Sequence, residues 1–338
     1  MGRTLEVIAD RANRPDDLVA AREVLDVHYS APISLRAAKL LHLLVDAAGV
    51  DVVKPMEHVV PIQSLNIGKE SKQEFLETVE ELFSTTMRLS ILNRLGKKAT
   101  KLGSFLADAE IDDDNLGDLR FEFSKLMRQV IANSNTWGVL SAKAVIAFRS
   151  RYSLRLYEFI AGRINQSINS EKLEIYRLRE ILNVPPLRLM KWKDLRVRAL
   201  DLAIAEVNQL AGFKVSYKPL MRARSVWAIQ LFWEKKQRGE LDQSARELDA
   251  PRVGRKARRD GSAESVAIAE RLAFPASGGI EFTAWVQLKR AAGCDMDNVL
   301  IADKFRNWCS TREPPVRLDA ANITELFSRF CSKIGKMP

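Results

Sequence analysis

The sequence predicts an α+β protein, mainly α with small β-hairpins. Three observations carry this expectation. Most patterned stretches repeat apolar residues at helical spacing. The remaining patterned segments are short and flank turn-rich, basic loops. With 338 residues and 46% hydrophobic content, the chain has material for two or three cores.

Leu35, Ala38, Leu41, Leu44 and Val45 mark a helix over Ala31–Val50, with Ser34 as its cap. Ser71 and Glu74 form a capping box, which satisfies two otherwise orphan N–H groups. Phe75, Val79, Leu82 and Phe83 continue that helix as one apolar stripe. Met87–Leu92 and Phe105–Ile111 read as strands, joined by a turn-rich loop from Asn93 to Gly103. Helices followed by a hairpin with a basic loop is the chain order of a winged helix. The order recurs. Ser141–Arg149 and Ser153–Ile164 read as helices, Leu173–Ile175 as a strand and Leu178–Leu182 as a short helix stopped by Pro185-Pro186. A long helix follows from about Lys191 to Leu210, with Gly212 placed as its C-cap. Phe213–Tyr217 and Val226–Trp233 then read as strands around a basic loop.

The expected architecture is therefore two tandem winged-helix domains, residues 1–135 and 136–236. A basic linker over 237–264 and a small helical C-terminal unit over 265–338 complete the chain. Ile280–Leu288, Asp297–Trp308 and Asn322–Ile334 are elements of that last unit.

Lysine and arginine number 53 against 43 acids, a formal net charge of +10. Such a balance points to polyanions: nucleic acid, an anionic membrane or an acidic partner. No apolar run approaches the ~18 residues of a membrane span, and no apolar segment of a secretory signal follows Met1-Gly2-Arg3. Three cysteines at 294, 309 and 331 give no disulfide framework, which fits a reducing cytoplasm. No phosphate-loop, G-x-S-x-G or H-E-x-x-H pattern occurs. His28, His42 and His58 lack metal-ligand spacing, and no His-x-His pair serves a nicking chemistry. Asp112-Asp113-Asp114 reads as a solvated turn and the cysteines as buried thiols. No enzyme, cofactor or metal is expected.

The strongest constellation runs from Leu187 to Trp233. Arg188, Lys191, Lys193, Arg196 and Arg198 crowd the start of the long helix, where free N–H groups and the helix dipole suit phosphate. At 100° per residue, Leu200, Ala203, Val207 and Leu210 share one side and Arg198 lies roughly opposite, placed to meet base edges in a major groove. Arg196 falls nearer the core edge, within reach of a phosphate. Lys218, Arg222 and Arg224 make a basic wing. The competing reading is an ordinary solvated surface. The first unit is poorer, because its second helix carries Glu70, Glu74, Glu77, Glu80 and Glu81. Its DNA candidates are Lys69, Lys72 and Gln73 in the first turn, and Arg94, Lys97, Lys98 and Lys101 in the loop. Arg252, Arg255, Lys256, Arg258 and Arg259 in the linker are candidates for phosphate contact without sequence reading.

Trp192-Lys193-Asp194-Leu195-Arg196-Val197-Arg198-Ala199-Leu200, with Glu206, Val207 and Asn208 beyond, resembles the recognition-helix signature of iteron-binding plasmid replication initiator (Rep) proteins. Tyr152-Ser153-Leu154-Arg155-Leu156-Tyr157-Glu158 resembles an upstream helix of that family, and Phe213–Tyr217 with Arg224–Ile229 its hairpin. The Ile33-Ser34-Leu35-Arg36 helix is similar more loosely, so the resemblance covers roughly residues 20–235. It implies two winged-helix domains that bind directly repeated origin DNA as monomers. It also implies a promoter-repressing homodimer, recruitment of the host helicase and initiator, and DNA melting without ATP hydrolysis. It carries DNA contact to Arg196, Arg198 and Arg224. Three positions depart from the pattern. Val197 replaces a basic residue, Leu202 a proline whose loss predicts a straighter helix, and Ala223 a wing glycine. A winged-helix transcriptional regulator is the alternative within DNA binding, and an adaptor for acidic host proteins the alternative outside it.

Overall fold

A computed structural model describes residues 2–10, 16–29, 31–65, 71–92, 97–112, 117–260, 273–280, 283–313, 315–318, 320 and 322–334. It is mainly helical with small antiparallel sheets, as the patterning predicts. Two compact units result, Met1–Pro251 and Arg252–Pro338.

In the larger unit, α1 (Arg3–Asp10), β1 (Asp17–Ala21), α2 (Arg22–Leu25) and β2 (His28–Tyr29) precede α3 (Leu35–Ala48). The Ser34 hydroxyl accepts from Ala37 N and caps α3, as the sequence predicts. β3 (His58–Pro61) leads to α4 (Lys72–Ser84), whose start is the Ser71/Glu74 capping box. β4 (Met87–Leu92), β5 (Lys98–Gly103), β6 (Leu106–Ile111) and β7 (Asp118–Phe123) follow. The expected pairing of residues 87–92 with 105–111 is not the one formed. β4 pairs with β5, and β6 with β7. Residues 98–103, expected as the end of a turn-rich loop, form a strand. Order β2-β4-β5 makes β5 an edge strand, where lysine is tolerated because it blunts further pairing. Asp112 follows β6 and is exposed, while Asp113 and Asp114 lie outside the described residues.

α5 (Lys125–Asn133) and β8 (Trp137–Ser141) carry the chain onward to α6 (Ala142–Ala147) and α7 (Arg151–Ala161). β8 returns to pair with β1, Asp17 opposite Ser141, across the boundary expected at residues 135/136. It passes so close to α7 that a Cβ on Gly138 would lie 2.6 Å from Leu25 and 2.9 Å from the Ala161 backbone. One hydrophobic core then runs from Leu5 to Trp233, so the two winged helices are not separately packed.

After α7 come β9 (Ser170–Glu174), α8 (Ile175–Ile181), α9 (Trp192–Leu195), α10 (Asp201–Leu210), β10 (Phe213–Arg222) and β11 (Ser225–Lys235), the elements of the second winged helix. β9 adds to the wing as its third strand, in the order β10-β11-β9. α10 ends where Ala211 turns extended, so Gly212 is not the left-handed cap expected there.

The expected linker is partly helix. α11 (Arg238–Asp249) starts on a capping box made by Gln237 and Glu240. It docks through Lys236, whose ammonium donates to Asn208 O at 2.5 Å and Ser244 Oγ at 2.6 Å, and through the Lys143–Asp249 pair at 3.1 Å. Polar anchors replace an apolar stripe, which is why the segment reads as unpatterned.

The smaller unit begins with α12 (Arg255–Arg259) and holds α13 (Thr283–Ala291), α14 (Asn298–Ser310) and α15 (Ile323–Ile334). Phe274, Trp285, Phe305 and Phe327 form its core, with Cys294, Cys309 and Cys331 buried among them. Burial pushes the Cys331 thiol up to about 12. No helix of the described residues is long and apolar enough to cross a membrane.

Candidate nucleic-acid interface

The turn into the long helix is held in an unusual backbone. Asn183, Leu187 and Leu189 have φ of 53°, 62° and 51°, a region that costs a side-chain-bearing residue roughly 1–2 kcal/mol. Arg179 on α8 offsets that cost. Its guanidinium donates to Leu189 O at 2.7 Å and Arg188 O at 2.6 Å. The loop so fixed leaves Arg188 and Lys191 exposed. Sequence reasoning missed Arg179, and only its position one short helix before a Pro-Pro turn hints at the role.

From Trp192 the helix is continuous but not uniform. One turn of π-helix, Arg196–Leu200, separates α9 from α10. A π turn inserts an extra residue, so positions before and after it do not share one 100° wheel. Leu195, Ala199, Leu200, Ala203, Val207 and Leu210 are buried, and α10 packs against α7. Lys193, Arg196, Val197, Arg198 and Leu202 are exposed. Arg198 is outward as expected, its side chain 72% exposed and 3.9 Å from Asp194. Arg196 falls nearer the core edge than Arg198, as expected. Its side chain is 46% exposed and lies 3.7 Å from Asp201 across the π turn. Surface pairs of this length contribute about 0–1 kcal/mol, so both guanidiniums exchange readily for another anion. No side chain caps the helix at Lys191, which leaves its first N–H groups for an incoming oxygen.

Tyr217 ties wing to helix. Its ring meets Trp192 edge-on at 6.2 Å, and its hydroxyl donates to Asp201 at 2.8 Å. Burial and that bond push the Tyr217 hydroxyl up to about 12. The basic loop expected over 218–224 is mostly strand. Lys218 pairs with Gln230 on the ladder, and the hairpin closes at Arg222 opposite Ser225. Only Ala223 and Arg224 form the turn. Lys218, Arg222 and Arg224 are all exposed. Ala223 has φ of 53°, so it holds the left-handed position where a glycine is the unstrained residue.

The first unit brings fewer of its candidates to the surface. Lys97 is exposed. Gln73 donates to Glu77 at 3.2 Å, Lys72 is half-buried, and Lys101 donates to Gln129. The backbone of Lys98 opens β5. Lys69 and Arg94 lie outside the described residues.

The cluster over 252–259 departs furthest from expectation. Arg255 is 4% exposed, Arg258 donates to Val253 O at 3.2 Å, and Arg259 lies 3.5 Å from Asp260. Only Arg252 and Lys256 of the five are exposed. A helix formed here, and it turned three of the cations back on the protein.

Residues 18–161 match the family described as initiator replication protein, WH1, and residues 174–233 match initiator Rep protein, WH2. No curated protein matches the chain. Among solved structures, the Pi initiator protein in complex with iteron DNA aligns at 14% identity over 67% of this chain and 99% of that one, with a TM-score of 0.49. Domains 2 and 3 of RctB align at 12% identity over 60% of this chain and 82% of that one, with a TM-score of 0.36.

Proposed function

The chain belongs to the initiator replication protein family and is a replication initiator, and on that premise we propose that its second winged helix reads repeated sites in origin DNA. The supporting observation is a set of exposed cations on a helix and wing that Tyr217 ties together. Lys193, Arg196 and Arg198 are exposed on the helix, and Arg222 and Arg224 on the wing that Tyr217 locks to it. Duplex DNA carries one negative charge per ~1.7 Å of axis, so such a surface binds it at any sequence. Specificity needs contacts to base edges. Arg198 forms a bidentate pair with guanine O6 and N7, while the exposed Val197 and Leu202 meet thymine methyls. Arg222 and Arg224 follow the backbone and set the register.

Monomers occupy direct repeats in the cytoplasm, and a dimeric form represses the promoter. The bound array deforms and opens the duplex by binding energy, with no catalytic group of this chain involved, and the host helicase and initiator enter there.

The test is site selection from a random duplex library with the full-length protein. Competition at fixed salt against single-base substitutions of the selected site follows. Arg198→Ala is expected to cost ~1–3 kcal/mol on that site and to relax the preference at one base pair. An equal loss on every sequence makes Arg198 a phosphate contact. No change in either measurement moves the reading helix to the first unit, at Lys72 and Gln73.

A further inference from the structure

The C-terminal unit lies outside both matched segments, and it carries a groove of about 830 Å³. The floor of the groove is apolar. Trp308 near the end of α14, Val316 in the following loop, and Leu326 and Phe330 on α15 line it. Phe305 stacks behind Trp308 at 5.7 Å, and Phe330 meets the same indole at 5.6 Å, so the floor is continuous with a packed aromatic core. Trp308, Val316 and Leu326 nevertheless remain half-exposed.

The rim is cationic. The Arg312 guanidinium lies 4.5 Å over the Trp308 ring. Arg329 and Lys333 stand four residues apart on α15 and so share a face. Arg329 pairs with Glu325 at 2.6 Å, but both side chains are more than 60% exposed, and such a pair yields easily to another carboxylate. Glu313 is the one acid among the described lining residues.

We propose that this groove docks an acidic amphipathic helix of a partner protein. The partner's apolar face lies on Trp308 and Leu326, and its carboxylates meet Arg312, Arg329 and Lys333. The chemistry selects this occupant over others. DNA offers phosphates but no apolar side chains, and would leave the floor in water. A second copy of the same groove would set cation against cation, because a two-fold interface presents one patch to itself. An acidic helix with apolar residues at i, i+3 or i+4, and i+7 satisfies floor and rim together.

Paired selection tests this. A displayed library of random 16-residue peptides is panned on the full-length protein and on its Arg312→Glu/Arg329→Glu/Lys333→Glu variant. Far-UV circular dichroism and the thermal unfolding midpoint report that the variant is folded. Peptides recovered on the wild type are expected to combine Asp or Glu with Leu, Phe or Trp at helical spacing. They should bind at least tenfold more weakly to the variant and weaken with added salt. Leu326→Asp should abolish binding as well, and where that variant fails to fold the charge reversal alone decides. Neutral or basic peptides, or none that distinguish wild type from variant, would overturn the proposal. A tenfold loss of plain duplex binding in the triple variant would overturn it in favour of a DNA surface. Sedimentation showing self-association that Leu326→Asp removes would overturn it in favour of a second copy.

Discussion

Val197 stands 47% exposed between Arg196 and Arg198, an apolar side chain flanked by two cations. Its neighbours already supply charge, so its contribution is shape and the absence of a third guanidinium. Val197→Arg is expected to raise affinity for any duplex and to steepen the slope of log K against log salt by ~0.9, one phosphate contact. If the new arginine meets a base edge instead, the slope stays unchanged and a preference appears at one base pair. A titration over salt separates the two, and no change in either quantity would remove position 197 from the interface. The buried charges teach the opposite lesson. Arg155 is 3% exposed and Glu158 is 1% exposed. Arg155 donates to Glu158, to the Tyr29 hydroxyl at 3.0 Å and to Val27 O at 3.2 Å, while His42 Nε2 lies 2.7 Å from Glu158. Burial alone would raise the Glu158 carboxyl, but the Arg155 charge and the His42 bond hold it below its ordinary value. A depressed carboxylate contributes stability that is present above its unfolded value, near 4.5, and is lost as pH falls through the folded value. Glu158→Gln should therefore destabilise the protein at neutral pH by ~3–5 kcal/mol, because Arg155 is left buried and uncompensated. That difference should narrow as the pH is lowered below about 4.5. Urea unfolding at pH 7 and at pH 4 measures it, and a difference independent of pH would assign the loss to packing.

Two elements are held in backbone that their residues do not favour. At the wing tip, Ala223 takes the left-handed conformation between Arg222 and Arg224. A Cβ there costs ~1–2 kcal/mol, which glycine does not pay. Ala223→Gly is expected to raise stability by ~1 kcal/mol with DNA affinity unchanged, since both flanking arginines keep their places. A lower denaturation midpoint would mean the turn gains more from a stiff alanine than it loses in strain. In the loop before the reading helix, strain is concentrated at Leu187 and Leu189 and opposed by Arg179. Hydrogen bonds from a charged donor contribute ~1.5–3 kcal/mol each, so Arg179→Ala should let the loop relax and cost about tenfold or more in affinity for the selected site. The salt slope should not change, because the lost guanidinium is bonded to carbonyls of the protein. A slope flattened by ~0.9 would make Arg179 a phosphate contact.

At the scale of the molecule, α7 joins the two winged helices by being buried from Ser153 to Ala161. His42 of α3 reaches Glu158 from one side. Arg163, just past the C-terminal end of α7, grips Asp26 through two bonds at 2.7 and 2.9 Å and holds Glu171 at 2.9 Å. Polar side chains 116 to 137 residues apart in sequence thus meet at this junction. Such a junction resists independent movement of the two halves far more than a flexible linker would. The smaller unit has its own aromatic core and, in its groove, a surface whose chemistry differs from the basic helix and wing of the larger unit.

What the sequence by itself determined was local. The Ser34 cap, the Ser71/Glu74 box and the 3.6-residue stripes of α3 and α4 are decided within four residues, and each is found where it reads. The recurrence of helices followed by a hairpin was legible for the same reason, as was the crowding of cations from Arg188 to Arg198 and their outward face at Arg198. What only the tertiary structure decided depends on partners far along the chain. Lysines did not prevent residues 98–103 from becoming a strand, because β4 satisfies their backbone. α11 formed without an apolar stripe, because Lys236, Lys143 and Ser244 anchor it. The π turn between α9 and α10 is an offset no regular wheel contains. Arg255, expected to meet phosphate, is buried, and Arg179 clamps a loop whose strain appears only in its dihedral angles. Periodicity and capping act over one or two turns of chain, whereas strand pairing, buried charge and backbone strain are settled by whatever the fold brings alongside.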